Sequence, residues 1–240
     1  TEVAPKDPLF DPAMVALTNR LAQIPDDGGP AGEGAIDKAL RSAAPVYRAG
    51  LWKEDDAVNR FWISVAATLL REAGGEITAE LTRLYGINWP QRLHIDVVPF
   101  DGRFGAYTPS GPPLHYTMVS SRDEGYQGFS ALEMMFHEPL HHFDRVMLRL
   151  IDAAAKKAGV EQPPRNLSHA ILFYTAGDVT KRALARRGVT DYEPVAYRGI
   201  HRRSWPELLP LLEEHWQAYI DGKITRDEAF ARMLAPKPKP

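Results

Sequence analysis

The chain has 240 residues, of which 25% are charged and 44% hydrophobic, ordinary values for a chain that folds around a core of its own, so disorder is excluded for most of its length. A formal net charge of -2 gives no long-range field to draw in nucleic acid or an anionic membrane surface. The longest apolar run, FWISVAATLL at 61–70, falls far short of the roughly 20 residues a membrane helix needs. Cysteine is absent, which excludes disulfides, thiolate nucleophiles and sulfur-held zinc; a transition metal must be held by His, Asp or Glu.

A start at Thr1 with no apolar leader, together with the lack of cysteine, favours a periplasmic or secreted mature form, although a trimmed chain would begin in the same way. Asp11-Pro12 reads as an N-cap and first helical proline, opening a helix that Gly28-Gly29-Pro30 ends. A second helix is expected over 34–48. A third is expected from Glu54 to Ala73, with Val58, Phe61, Trp62, Val65 and Leu69 as its apolar face and Gly74-Gly75 as its stop. ITAELTRLYG follows, closed by Gly86 as a C-terminal cap.

At residue 93 the period changes. LHIDVVPF (93–100) and LHYTMVSS (114–121) read as two strands, joined by a loop rich in Gly and Pro. Long helices are expected over 130–158 and 167–187, separated by VEQPPRN. Tyr192 to Ser204 reads as irregular, SWPELLPLLEEHWQAYI and TRDEAFARML as two further helices, and APKPKP as a solvated tail. The expected architecture is α+β, mostly helical with a small sheet beside the helix of 130–158. It comprises a helical region at 1–92, a second region at 93–234 and a tail at 235–240, in one continuous globular unit.

HEPLHH, residues 137–142, gathers three of the eight histidines. Ser130, three residues before Glu133, predicts a capping box that starts the helix at Ala131. Phe136, Leu140, Phe143 and Met147 then form its buried stripe, and Glu133, His137, His141 and Asp144 share a neighbouring face. Histidines four apart project about 40° from one another, so both can reach one ion, and Glu138 sits beside the pair. Pro139 predicts a bend that frees the carbonyl of Met135, or else a later start to the helix. The plainer alternative is a partly exposed helix face whose histidines are hydrogen-bonded.

His137-Glu138-Pro139-Leu140-His141 resembles HExxH, the signature of the zincin zinc metallopeptidases. The resemblance implies Zn2+ held by His137 and His141, and Glu138 as the general base that activates water for attack on the carbonyl of a peptide or protein substrate. It also implies a strand before the helix, a place LHYTMVSS occupies, whose edge pairs with an extended peptide. Asp144 and Met147 stand where the metzincin pattern needs Gly and His; the gluzincin-like pattern, to which the likeness is nearer, implies a glutamate with eighteen residues between it and His141, where this chain has Val160 with Glu161 one residue on.

A third ligand is expected at His169, whose helix Asn166 or Ser168 would cap, with Asp178, Asp144 and Glu161 as alternatives. Ala176 and Gly177 would let that helix approach the HExxH helix closely. His142, Asp144 and Asp178 are read as partners that orient the ligands. For a developing oxyanion the candidates are Tyr174, Tyr197 and His201, each of which could equally be packing. The sequence therefore points to a zinc-dependent hydrolase with no nucleic-acid partner and no membrane span. Competing readings are a zincin-like zinc-binding protein without turnover, hydrolysis of a non-peptide amide or ester, and a helical protein without metal.

Overall fold

The computed structural model describes residues 11–24, 32, 34–90, 92–109 and 116–235. The Gly28-Gly29-Pro30 breaker, the first two residues of the 114–121 segment and the tail beyond Ala235 lie outside the described residues. The chain is mostly helical with one three-stranded sheet, an α+β architecture. Among the described residues no helix is long and apolar enough to cross a membrane. Two compact units form, one from Thr1–Thr68 and Pro90–Gly128, the other from Leu69–Trp89 and Phe129–Pro240. Each is assembled from two stretches of chain by long-range packing, to which periodicity is blind.

In the first unit Asp11 caps α1 (Pro12–Leu21), its Oδ1 accepting from the amides of Ala13 at 3.0 Å and Met14 at 3.1 Å. α2 (Ala35–Gly50) and α3 (Trp52–Leu69) follow. The buried positions of α3 are Asn59, Trp62 and Ala66, while Phe61 is 71% exposed, so the inward face is turned from the stripe expected on hydrophobicity. Polar pairing sets that face. The Trp62 indole donates to the Tyr126 carbonyl at 2.8 Å, and Ser121 donates to the Asn59 amide oxygen at 2.6 Å. β1 (His94–Val98) and β3 (Tyr116–Ser120) pair in parallel, His94 opposite Tyr116 and Val98 opposite Ser120. β2 (Ala106–Tyr107), inside the expected loop, adds antiparallel to the other edge of β3. It is launched by Gly105 at φ 72°, where a Cβ would collide with Asp123 and Tyr126.

In the second unit the glycines at 74 and 75 do not stop the helix. A π-helical turn, Leu70–Gly74, runs on into α4 (Gly75–Tyr85), which Gly86 ends at φ 64°. A Cβ on Gly74 would lie 3.3 Å from the Leu70 side chain one turn earlier and in ordinary contact, at 3.8 Å, with the ring of Phe136, and the helical backbone passes through this glycine without stopping. Then come α5 (Phe129–Leu140), a 3-10 turn (His141–Phe143), α6 (Asp144–Ala158) and α7 (Leu167–Ala185). The segment expected to be irregular holds a 3-10 turn (Val195–Tyr197) and α8 (Ile200–Ser204). α9 (Leu209–Leu211), a π turn (Leu212–Trp216), α10 (Gln217–Ile220) and α11 (Arg226–Met233) complete the unit. Trp216 is fully buried, and its indole donates to Thr175 at 2.9 Å, whose hydroxyl donates to the Ile171 carbonyl at 2.7 Å.

α5 is the element that departs most from expectation. It starts at Phe129, Ser130 lies inside it, and every residue from Ser130 to Leu140 is buried, so no capping box forms and no face is left for water. Phe136, Leu140 and Met147 are buried as expected, but Phe143 is only half-buried. The single helix expected over 130–158 breaks at His141. Pro139 has no amide hydrogen and its ring crowds the Met135 carbonyl, and the chain answers by tightening to a 3-10 turn within two residues.

Candidate metal centre

His137 on α5, His141 in the 3-10 turn and His169 in the first turn of α7 present ring nitrogens that all lie within 4.8 Å of one another. Three nitrogens at that spacing lie about 2.8 Å from their common centre; zinc, at 2.0–2.1 Å, asks each ring to move in by at most about 0.7 Å, within the reach of small side-chain rotations. The break at His141 does not splay the first two rings, whose centroids are 5.0 Å apart, and His169 closes the triangle at 5.6 Å from His137 and 4.9 Å from His141.

Each ring is held differently. His141 Nδ1 lies 3.0 Å from Asp144 Oδ2, which makes Nδ1 the donor and leaves Nε2 with a free lone pair. His137 is 1% exposed and its Nδ1 has no hydrogen-bond partner, an uncommon cost for an imidazole that serves only as packing. Burial, with the neighbouring His141 and His169, holds its pKa well below the ordinary value; burial and His141 hold His169 at about 4. Both are thus neutral and ready to donate lone pairs. His141 moves the other way: burial works against the cation, but the Asp144 hydrogen bond and the charges of Glu138 and Asp144 raise it above its ordinary value. Glu138, 5% exposed, brings Oε1 to 3.9 Å from His137 Nε2. With the side chain of His141 21% exposed and that of Asp144 39%, solvent meets the centre from the side of the 3-10 turn.

Two aromatic walls complete the centre. Phe173, one turn beyond His169, stacks on His137 with centroids 3.6 Å apart, and Trp205 packs 5.0 Å from His169. Phe173 is readable in the sequence as the i+4 neighbour of His169 on one helix face. Trp205 carries no such signal, since it arrives from beyond α8.

The other expected residues fall elsewhere. Asn166 sits at φ 64° and makes no side-chain cap, and Ser168 Oγ is buried without a partner, so neither caps α7 as expected. Asp178 turns to Arg182, whose Nε is 2.6 Å from its Oδ2; burial nonetheless raises its pKa. Glu161 is exposed, and His142, half-buried in the 3-10 turn, is not one of the three. Tyr174 donates to Gln217 at 2.6 Å and Tyr197 to Glu213 at 3.1 Å, so both hydroxyl protons are committed to the α9–α10 segment. Burial raises both tyrosines, Tyr197 to about 12. His201 is buried with neither ring nitrogen hydrogen-bonded, and burial lowers it to about 4. Its ring lies 5.4 Å from Tyr197 and 6.1 Å from Trp205, so the indole touches both His169 and His201. Gly177 admits not the HExxH helix alone but a chain crossing it, since a Cβ there would lie 2.7 Å from Pro194 and 3.4 Å from Glu133 Oε1.

No protein-family model, curated protein or solved structure matches the chain.

Proposed function

We propose that the chain is a zinc-dependent hydrolase of peptide bonds, with His137, His141 and His169 as metal ligands and Glu138 as general base. The observation that carries this reading is the convergence of three imidazole nitrogens within 4.8 Å, with a carboxylate 3.9 Å from one of the rings. Three imidazole ligands suit zinc, and the pairing of His141 with Asp144 is the arrangement that orients ligand histidines elsewhere. When bound, zinc supplies Lewis-acid polarisation of water and of a substrate carbonyl. Glu138 takes the proton from water and delivers it to the leaving nitrogen, and His201, the one candidate whose polar atoms are unspent, is the residue available to a developing oxyanion.

Elemental analysis of protein purified without added metal tests the ligands: about one zinc per chain is expected, lost in His141→Ala and His169→Ala. A panel of quenched peptides tests the base. Glu138→Gln is expected to keep the metal and lower cleavage by about 10²–10⁴-fold. A second reading, metal binding without turnover, draws support from the 5% exposure of Glu138, which leaves the base little room to meet a substrate. Full metal occupancy with no cleavage that depends on Glu138 would favour it.

A further inference from the structure

Glu133 lies on α5 one turn before His137 and is completely buried. Its Oε2 accepts from the Tyr192 hydroxyl at 2.7 Å, and both oxygens accept from the Val195 amide, at 3.1 and 3.2 Å. It makes no ion pair among the described residues, so these donors, together with the charge of Arg198, are what offset its burial. The segment so fastened crosses α7 at Gly177, where any side chain would strike Pro194. Arg198 steadies the same segment from outside, donating to the Glu193 carbonyl at 2.8 and 3.1 Å and lying 5.6 Å over the Tyr192 ring.

The strap leads directly to the metal centre. Three residues after Arg198 comes His201, and at the end of α8 comes Trp205, against His169 at 5.0 Å and Phe173 at 6.1 Å. α8 itself is only five residues long, too short to hold its own orientation. The placement of Trp205 and His201 therefore depends on where the strap is pinned. A carboxyl group buried at that point is a costly way to hold a loop, since an apolar residue of similar size would fill the space without desolvation. What the carboxylate adds is direction: its two oxygens accept only from donors that approach at set positions, and they fix the register of the strap as packing alone does not.

We propose that Glu133 is a positioning residue of the metal centre: by clasping Tyr192 and Val195 to α5 it sets Trp205 and His201 against the histidine triad. The proposal rests on the metal reading of the triad, and its two readouts separate the clasp from that reading. Hydrogen exchange of the full-length protein reads the clasp without metal, and Co2+ titration followed by visible absorption reads the centre. In Glu133→Ala, exchange in residues 192–205 is expected to accelerate about ten- to hundredfold while α6 and α11 are unchanged. Co2+ affinity is expected to fall about tenfold, with an altered absorption band. Tyr192→Phe, which keeps the ring and removes one donor, should produce an intermediate change in both. Glu133→Gln, which keeps the shape and an acceptor, should bring both to within about threefold of the parent. Acceleration spread evenly over 69–89 and 129–235, no acceleration in the strap, or a loosened strap with Co2+ affinity and spectrum unchanged would each overturn the proposal. A parent protein that takes up no Co2+ overturns the metal reading and the positioning role with it, whatever the exchange shows.

Discussion

Replacement of Glu133 by Gln should change how stability depends on pH, by an amount the structure sets. Burial drives this carboxyl up from 4.5 to about 7, against the Tyr192 and Val195 hydrogen bonds and the charge of Arg198, which favour the anion. A group whose pKa is raised by folding stabilises the native state fully below the unfolded value, and that contribution is lost as pH rises through the folded value. A shift of two and a half units at about 1.36 kcal/mol per unit is about 3 kcal/mol, with no discount for solvent because the side chain is fully buried. Relative to Glu133→Gln, the parent protein should therefore lose about 3 kcal/mol of stability between pH 4.5 and pH 8, and little beyond. The assay is urea unfolding followed by tryptophan fluorescence at half-unit pH steps, with chelator present so that ligand histidines do not couple through metal. Taking the difference between the two proteins cancels His137, His169 and His201, whose lowered pKa values give stability that is present above 6.5 and lost as pH falls below it, through about 4 for His169 and His201. A difference that is flat with pH to within about 0.5 kcal/mol, or that grows as pH rises, would refute the argument that burial outweighs the two donors.

Asp144→Asn should weaken zinc binding about ten- to hundredfold, measured by competition with a chromogenic chelator, because the amide no longer holds His141 Nδ1 as a strong donor. Zinc at a hundredfold excess over its dissociation constant should stabilise the protein by about 2.7 kcal/mol in urea unfolding, and His169→Ala should abolish that increment. Gly177→Ala should destabilise by about 1–2 kcal/mol: the new Cβ meets Pro194 at 2.7 Å, and the resulting strain of about 1–3 kcal/mol outweighs the gain of up to about 1 kcal/mol in helix propensity. An unfolding midpoint unchanged or raised by that substitution would show that the strap is free to move away.

Residues 137–141 show how far sequence reasoning reaches and where it ends. Spacing within one helix is a covalent matter, so the two histidines four apart, the glutamate beside them and the disturbance at Pro139 were all open to inspection before any fold was known. His169 was singled out, over Asp178, Asp144 and Glu161, because Asn166 or Ser168 would start a helix beside it after a short loop; the helix does start there, although neither side chain caps it. The apparent capping box misled, because Ser130 and Glu133 satisfy the pattern while the tertiary fold turns the glutamate to Tyr192 and Val195, 59 and 62 residues away. Gly74 misled in the same way, since the helical backbone runs through it into α4. Tyr174 and Tyr197 were candidates by residue type alone, and only the positions of Gln217 and Glu213 show where their protons go.

The sequence by itself determined that the chain is mostly helical, that any transition metal must sit among His, Asp and Glu, and that His137, Glu138 and His141 lie within one turn of each other. These follow from composition and from the fixed rise and rotation of a helix, which act over a few residues. Only the tertiary structure decided that α5 is buried on all sides, that His169 and Trp205 reach it, and that a buried carboxylate pins the strap above it. Those are meetings between groups far apart in the chain, and packing selects them because leaving a buried polar atom unpaired is costly and local pattern does not constrain how far along the chain its partner lies.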